Sequence, residues 1–362
     1  MTLEEKVGQL CCFGWHAQAR LDEQAQVCVQ ELHAGGMIIM GRNLHDTRQK
    51  PAPEIDAAAV RAMLDALQSL AKTPLLLATD QEGGRVARFG TAPFTPPPAA
   101  ATFTTPEDAF ASAYKTGTEL RTVGINANFA PVADINSNPE NPVIGDRSFG
   151  ASAEEVVPMV EAQVRGYANA GVLACLKHFP GHGDTATDSH FALPTLPHTL
   201  EAMESRELVP FRAGIAAGAP AVMTAHILFP ALDEELPATM SRAILTGLLR
   251  EKLGFTGLIV TDCLEMKAVA ERWGTAQAAL AAVKAGADLV LVCHTLERQR
   301  ETYETLLTAA RSGELSSSRL DEAIGHVLAA KARLAPLPYD PALLGGTHHE
   351  TLATTLGAAA PV

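Results

Sequence analysis

The chain has 362 residues, and its 28 basic against 41 acidic side chains give a formal net charge of −13. That balance argues against nucleic acid or an acidic membrane surface as a partner and suits a soluble enzyme of small molecules. No apolar run is long enough to span a bilayer, and the opening TLEEKVGQL lacks the basic-then-apolar pattern of a secretory leader, so the expected location is cytoplasmic.

The length allows two average domains or one large α/β barrel. The cysteines, Cys11, Cys12, Cys28, Cys175, Cys263 and Cys293, lie mostly in apolar surroundings, with no CxxC pair and no zinc-like spacing. They read as free, buried thiols of a reducing compartment.

Short β-rich runs alternate with longer amphipathic stretches rich in Ala and Glu, the habit of a parallel sheet with crossover helices. Strands are predicted at 8–15, 36–40, 75–79, 127–132, 172–176, 221–224, 258–261 and 288–293. Helices are predicted at 21–33, 55–71, 106–123, 152–170, 200–217, 241–253, 273–285 and 297–311, and one more at 317–333 closes the fold. Eight such units predict an α/β fold, a closed (β/α)8 TIM-like barrel that forms a single catalytic domain over 1–335. The Pro-rich stretch 92–101 reads as a rigid loop after the third strand. From Leu334 the pattern decays through Pro336, Pro338 and Pro341 into Thr, Ala and Gly, so 336–362 is expected to be a tail or linker. It resembles the opening of a second domain more than the end of one.

At or just past the predicted strand ends stand Asp80, Asp134, Lys177 with His178, His226, Asp262 and His294. Barrel enzymes build their sites on that C-terminal rim, whereas a structural barrel has no reason to collect ionisable groups there. The segment KHFPGHGDTATDSH, 177–190, is the densest, and in it Asp188 lies close enough to His190 to orient its ring and fix its tautomer. The bland alternative for this segment is a solvated turn.

Asp262 ends the apolar run GLIVT, where a carboxylate can act as nucleophile, general base or metal ligand, or simply cap the next helix. Asp80 enters QEGGRVARF; it has the geometry to accept hydroxyls of a diol, with Arg88 supplying donors, or to pair with one of the neighbouring arginines. Arg147, in VIGDRSFG, is placed to hydrogen-bond a polar ligand or to bridge to Asp146 or Asp134. His226, in VMTAHI, faces the ligand or is a satisfied core histidine.

Taken together, DQEGGRVARF, VIGDRSFG, KHFPGHGDTATDSH, VMTAHI and LIVTDCLEM, in this order, resemble the barrel domain of family 3 glycoside hydrolases, specifically the bacterial β-N-acetylglucosaminidases of the NagZ type. The likeness runs over about 2–335 and includes TLEEKVGQL and GGMIIMGRN. It implies retaining, double-displacement cleavage of terminal β-linked N-acetylglucosamine, with cell-wall muropeptides as source. On this reading Asp262 is the nucleophile, His190 the acid and then the base, and Asp188 its dyad partner. Asp80, Arg88, Arg147, Lys177 and His178 match the positions that hold the sugar, with His226 beside them. A histidine near its ordinary pKa can serve both halves of such a cycle. The glycines Gly181 and Gly183 suggest a loop that swings in on binding. Because a histidine repels an anion less than a carboxylate does, phosphate competes with water as acceptor, and a phosphorylase or a β-glucosidase-type member of the family is the alternative.

A metal-dependent, amidohydrolase-like barrel is a competing class, since His178, His182, Asp184, His190, His226 and Asp262 are ligand types. Against it, the first strand ends in no His-x-His pair, and Lys177 puts a cation beside His178. No metal or cofactor is therefore expected. The expected partner is a small carbohydrate, on a chain that is a monomer or weak oligomer. A catalytically silent sugar-binding barrel is a third reading.

Overall fold

The computed structural model describes residues 1–189, 192–335 and 337–345. Eight parallel strands form a closed barrel: β1 Cys11–Phe13, β2 Gly36–Ile39, β3 Leu76–Thr79, β4 Ala127–Asn128, β5 Leu173–Phe179, β6 Ala221–Thr224, β7 Leu258–Cys263 and β8 Leu289–Val292. Each pairs with its neighbours in sequence, and β8 returns to β1 through Cys11 opposite Val290 and Phe13 opposite Val292. All the predicted strands are present.

The strand side chains divide with period two. Cys12, Ile38, Leu76, Ala78, Leu173, Cys175, Met223, Val260, Leu289 and Leu291 fill the barrel interior. Phe13, Met37, Ile39, Leu77, Leu176, Val222, Ile259, Val290 and Val292 face the helical shell. Strands buried on both faces read as continuous apolar runs, which is why they were legible.

The helices begin where a short polar side chain takes up an orphan N–H. Ser152 and Glu155 form a capping box at Ala153–Ala170, and Thr105 with Pro106 opens Pro106–Thr122. Three features depart from expectation. Gly8 and Gln9 belong to a helix, Leu3–Gln9, fixed by a Thr2–Glu5 capping box, so the first strand starts later. The helix expected at 200–217 breaks at Arg206 into Leu200–Ser205 and Leu208–Ala216. A short helix, Lys267–Trp273, follows β7 and was not anticipated.

The last helix, Ser317–Ala332, closes the N-terminal end of the barrel, where Val327 and Ala330 join the interior cluster. The described part of the tail returns along the outside: Arg61 Nη1 donates to the Leu337 carbonyl at 2.9 Å, and Gly345 N–H to Glu119 Oε1 at 3.1 Å. Lys331 is buried beside Gln9, its Nζ 2.5 Å from Oε1, and burial pulls its ammonium down to about 7 from an ordinary 10.5. A lysine depressed in the folded state costs stability in full below its folded pKa, and the cost fades as pH rises toward the unfolded value. Lys331→Met is therefore expected to raise the melting temperature at about pH 6, with the gain shrinking as the pH approaches about 10. Thermal denaturation across that range checks it; a gain independent of pH contradicts the burial argument.

Candidate active site

Two of the strands carry one extra residue at their C-terminal ends. Between Leu176 and Phe179 β5 advances three residues while β6 advances two, from Val222 to Thr224, and the slip brings Lys177 and His178 together at the rim. On β7, Val260 to Cys263 spans the same length as Leu289 to Leu291 of β8, and Asp262 falls inside that slip. A bulge re-aims side chains that a regular strand would send to opposite faces. Both stretches singled out for chemistry thus sit on local irregularities at the same end of the barrel.

Lys177 is the centre of a buried charge network. Its Nζ lies 2.9 Å from Asp80 Oδ1 and 2.6 Å from Glu82 Oε1. Arg147 meets the same Glu82 through two bonds, Nε to Oε2 at 2.8 Å and Nη2 to Oε1 at 2.9 Å. Burial opposes every one of these charges, but their mutual attraction wins: the carboxyls of Asp80 and Glu82 are held below their ordinary range, and Lys177 and Arg147 are held above theirs. Arg88 stands 3.5 Å from Asp80 Oδ2, a long contact, and its buried Nε has no hydrogen-bond partner among the described residues. Asp80 therefore pairs with Lys177 and Arg88 yet remains partly exposed to the mouth.

Glu82 was not singled out from the sequence, and Arg147 was expected either to hydrogen-bond a polar ligand or to bridge to Asp146 or Asp134. Its actual partner is Glu82, which a tight hairpin, Gln81–Gly83 against Val86–Ala87, turns inward. Arg85 takes Asp146 instead, at 2.9 Å. The available signal was the i, i+2 spacing of Asp80 and Glu82, which in extended chain puts both on one face.

Asp134, at the end of the segment after β4, organises the next layer. It accepts the backbone N–H groups of His178 and His182 and lies 2.7 Å from His178 Nδ1. Burial opposes its charge, and His178 with the N–H donors keeps its carboxyl below the ordinary value. His178 Nε2 lies 3.4 Å from Arg147 Nη2. His182 is tied to Thr185 at 2.8 Å and Ser189 at 3.1 Å, and burial lowers its pKa to about 4.

Asp262 is partly exposed at the mouth, with Oδ1 accepting the N–H of Cys263 at 2.7 Å. Burial would neutralise it, but His226, His178, that N–H and Lys177 outweigh the burial and keep the carboxyl below the usual range. It does not cap a helix: the next one starts at Lys267, with Met266 at the cap. His226 is a core histidine, bonded to Thr239 at 2.8 Å and to the Cys263 carbonyl at 3.1 Å, yet its ring is among the groups that act on Asp262. Asp188 is partly exposed. His190 lies outside the described residues.

The loop leading to Asp188 is pinned, not loose, in its first half. Asn141 Nδ2 donates to the His182 carbonyl at 2.9 Å and Asn138 Nδ2 to the Thr185 carbonyl at 3.3 Å. A Cβ on Gly183 would fall 1.7 Å from the Ile135 carbonyl oxygen, so this glycine permits the close packing seen here.

Two sets of metal-type ligands occur among the described residues, and neither gathers the histidines considered for zinc with Asp262. One is Cys263, Glu265 and His294; hydrogen bonds from Cys293 and His294 draw the Cys263 thiol below its ordinary value. Here Glu265 already accepts the N–H groups of His294 and Thr295, and Arg42 Nη1 faces His294 Nδ1 at 3.2 Å. The other is Asp184, His198 and Glu207, where the Arg206 guanidinium occupies the focus.

The arrangement is a rim of hydrogen-bonding charges beside the ionised, partly exposed carboxylate of Asp262, suited to gripping a polyhydroxylated ring and attacking it. Comparison with known proteins agrees in kind. β-Hexosaminidase A of Pseudoalteromonas piscicida is 35% identical over 377 residues, covering 95% of this chain and 61% of that protein. The glycoside hydrolase family 3 β-N-acetylglucosaminidase from a Paenibacillus strain superposes with a TM-score of 0.86 at 43% identity, over 100% of this chain and 64% of that one. The β-N-acetylhexosaminidase of Beutenbergia cavernae gives 0.84 at 32% identity, over 92% and 99%. The chain thus spans less than two thirds of the length of the first two. The sequence pattern of the glycosyl hydrolase family 3 N-terminal domain matches residues 2–330, and the chain belongs to that family.

Proposed function

We propose that the chain is a retaining exo-β-N-acetylglucosaminidase that releases terminal β-linked N-acetylglucosamine through a covalent glycosyl-enzyme. The observation that carries this reading is the position of Asp262: an ionised carboxylate at the mouth, on the same rim as the Asp80–Lys177–Glu82–Arg147 network. In the first step Asp262 attacks the anomeric carbon while His190 protonates the leaving oxygen. In the second, His190 takes a proton from water, which displaces Asp262, and Asp188 orients the ring throughout.

Asp80 and the partly exposed guanidinium of Arg88 present an acceptor and donors to sugar hydroxyls. Lys177, Arg147 and His178 set the charge and position of that acceptor, and His226 sits behind the nucleophile. No metal or cofactor is assigned a part. Muropeptide fragments are the proposed substrate on the strength of the motif resemblance alone. No helix among the described residues is long and apolar enough to cross a membrane, and free cysteines suit the reducing cytoplasm as location.

The test is a comparison of nitrophenyl β-N-acetylglucosaminide with the matching β-glucoside, each with and without inorganic phosphate. Hydrolysis of the first with retention, at least about tenfold faster than the second, is expected. Sugar phosphate as the main product would make the chain a phosphorylase, and preference for the glucoside would overturn the substrate assignment.

A further inference from the structure

The break between helices Leu200–Ser205 and Leu208–Ala216 has a use. Arg206, at φ −132° and ψ −80°, leaves the helical path and sends its side chain toward the β5 loop. There Nη2 lies 3.0 Å from Asp184 Oδ2, 2.5 Å from Glu207 Oε1 and 3.3 Å from His198 Nε2, while His198 Nε2 is 2.9 Å from Asp184 Oδ2. These are three ligands of a kind that elsewhere hold a divalent cation, and here they converge on a guanidinium carried by the chain itself.

Asp184 lies in the loop, four residues before Asp188. Glu207 is 4% exposed, and its Cβ and Cγ would stand 2.9 Å from a Cβ on Gly181, whose φ of +136° suits glycine. The loop therefore rests directly on the Arg206–Glu207 break. On its other side Asn138, Asn141 and Asp134 grip residues His182 to Thr185. Clamped from both flanks up to Thr185, the loop has only Ala186 and Thr187, both exposed, between the clamp and Asp188.

We propose that Arg206, with Asp184 and His198, is a latch that fixes the loop leading to Asp188 and thereby supports proton transfer; this rests on the roles of Asp188 and His190 given above. Arg206 and Asp184 are positioning residues and touch neither substrate nor reacting atoms. Losing the latch leaves binding and the nucleophile intact but misplaces the acid. Displacements of about an ångström at a reacting group cost on the order of a hundredfold in rate.

The experiment measures kcat/KM of Arg206→Ala and Asp184→Asn on N,N′-diacetylchitobiose, whose departing sugar needs a proton, and on a dinitrophenyl β-N-acetylglucosaminide, whose leaving group does not. The expected result is a loss of about tenfold or more on the first and about twofold or less on the second, with partial recovery in Arg206→Lys. Asp184→Asn keeps the side-chain shape and serves if Arg206→Ala fails to fold. Equal losses on both substrates, or none on either, overturn the latch. The same pair of substrates on His190→Ala separates the two readings: selectivity there without selectivity in the latch variants sinks the latch alone.

Discussion

Replacing Asp262 by Ala is expected to lower kcat on an aryl β-N-acetylglucosaminide by about 10⁴-fold or more, with the melting temperature close to wild type. The size follows from the role: without the carboxylate there is no covalent intermediate, and water must attack from the vacated face without a base, because the proposed acid/base serves the leaving-group face. The mild effect on stability follows from the surroundings. Asp262 is partly exposed, its recorded hydrogen bond is to the N–H of the very next residue, and His226 keeps its bonds to Thr239 and the Cys263 carbonyl. Steady-state kinetics and thermal denaturation check both halves. Added azide should restore turnover in the Ala variant and give the azide of inverted configuration. The depressed carboxyl also fixes a sign: Asp262 is anionic at every pH above its lowered pKa, so the acid limb of kcat/KM should fall below about pH 4, the ordinary aspartate value.

Substituting His190 should divide substrates by leaving group. With Ala at this position, kcat/KM on diacetylchitobiose is expected to fall by about 10²- to 10⁴-fold, the usual worth of a general acid, while the dinitrophenyl glycoside loses little. Its kcat still falls, because the second step needs the same residue as base, and azide should relieve that. The alkaline limb seen with poor leaving groups should vanish in the variant, since in the wild type activity is lost as the histidine gives up its proton with rising pH. Equal losses on both substrates would remove His190 as the acid and leave Asp188 without a partner to orient.

The barrel was legible because each strand is a short apolar run that ends in a polar group, and parallel strands covered on both faces show no competing alternation. The break at Arg206 was not predicted, although LEAMESRELVPF carries a signal for it: Pro210 has no N–H to give the Arg206 carbonyl and its ring crowds that carbonyl, and the Arg206 cation is drawn out of the helix to Asp184 and Glu207. The rim residues were found one at a time by their position after strands, and that position is what brought Asp80, Lys177, His178 and Asp262 to one mouth. What the linear text does not show is pairing across the barrel. Glu82 sits between Lys177 and Arg147, drawn from three separate strand–loop units, and the bulges that turn Lys177, His178 and Asp262 to the rim depend on register with a neighbouring strand.

The most direct test of the covalent scheme is to inactivate the protein with a fluorinated N-acetylglucosaminyl fluoride, digest it, and locate the sugar by mass spectrometry. The expected result is one N-acetylglucosamine-derived adduct on the peptide bearing Asp262, and none in the Asp262→Ala variant. An adduct on Asp80 or Asp134, or turnover with inversion and no adduct at all, would contradict the account.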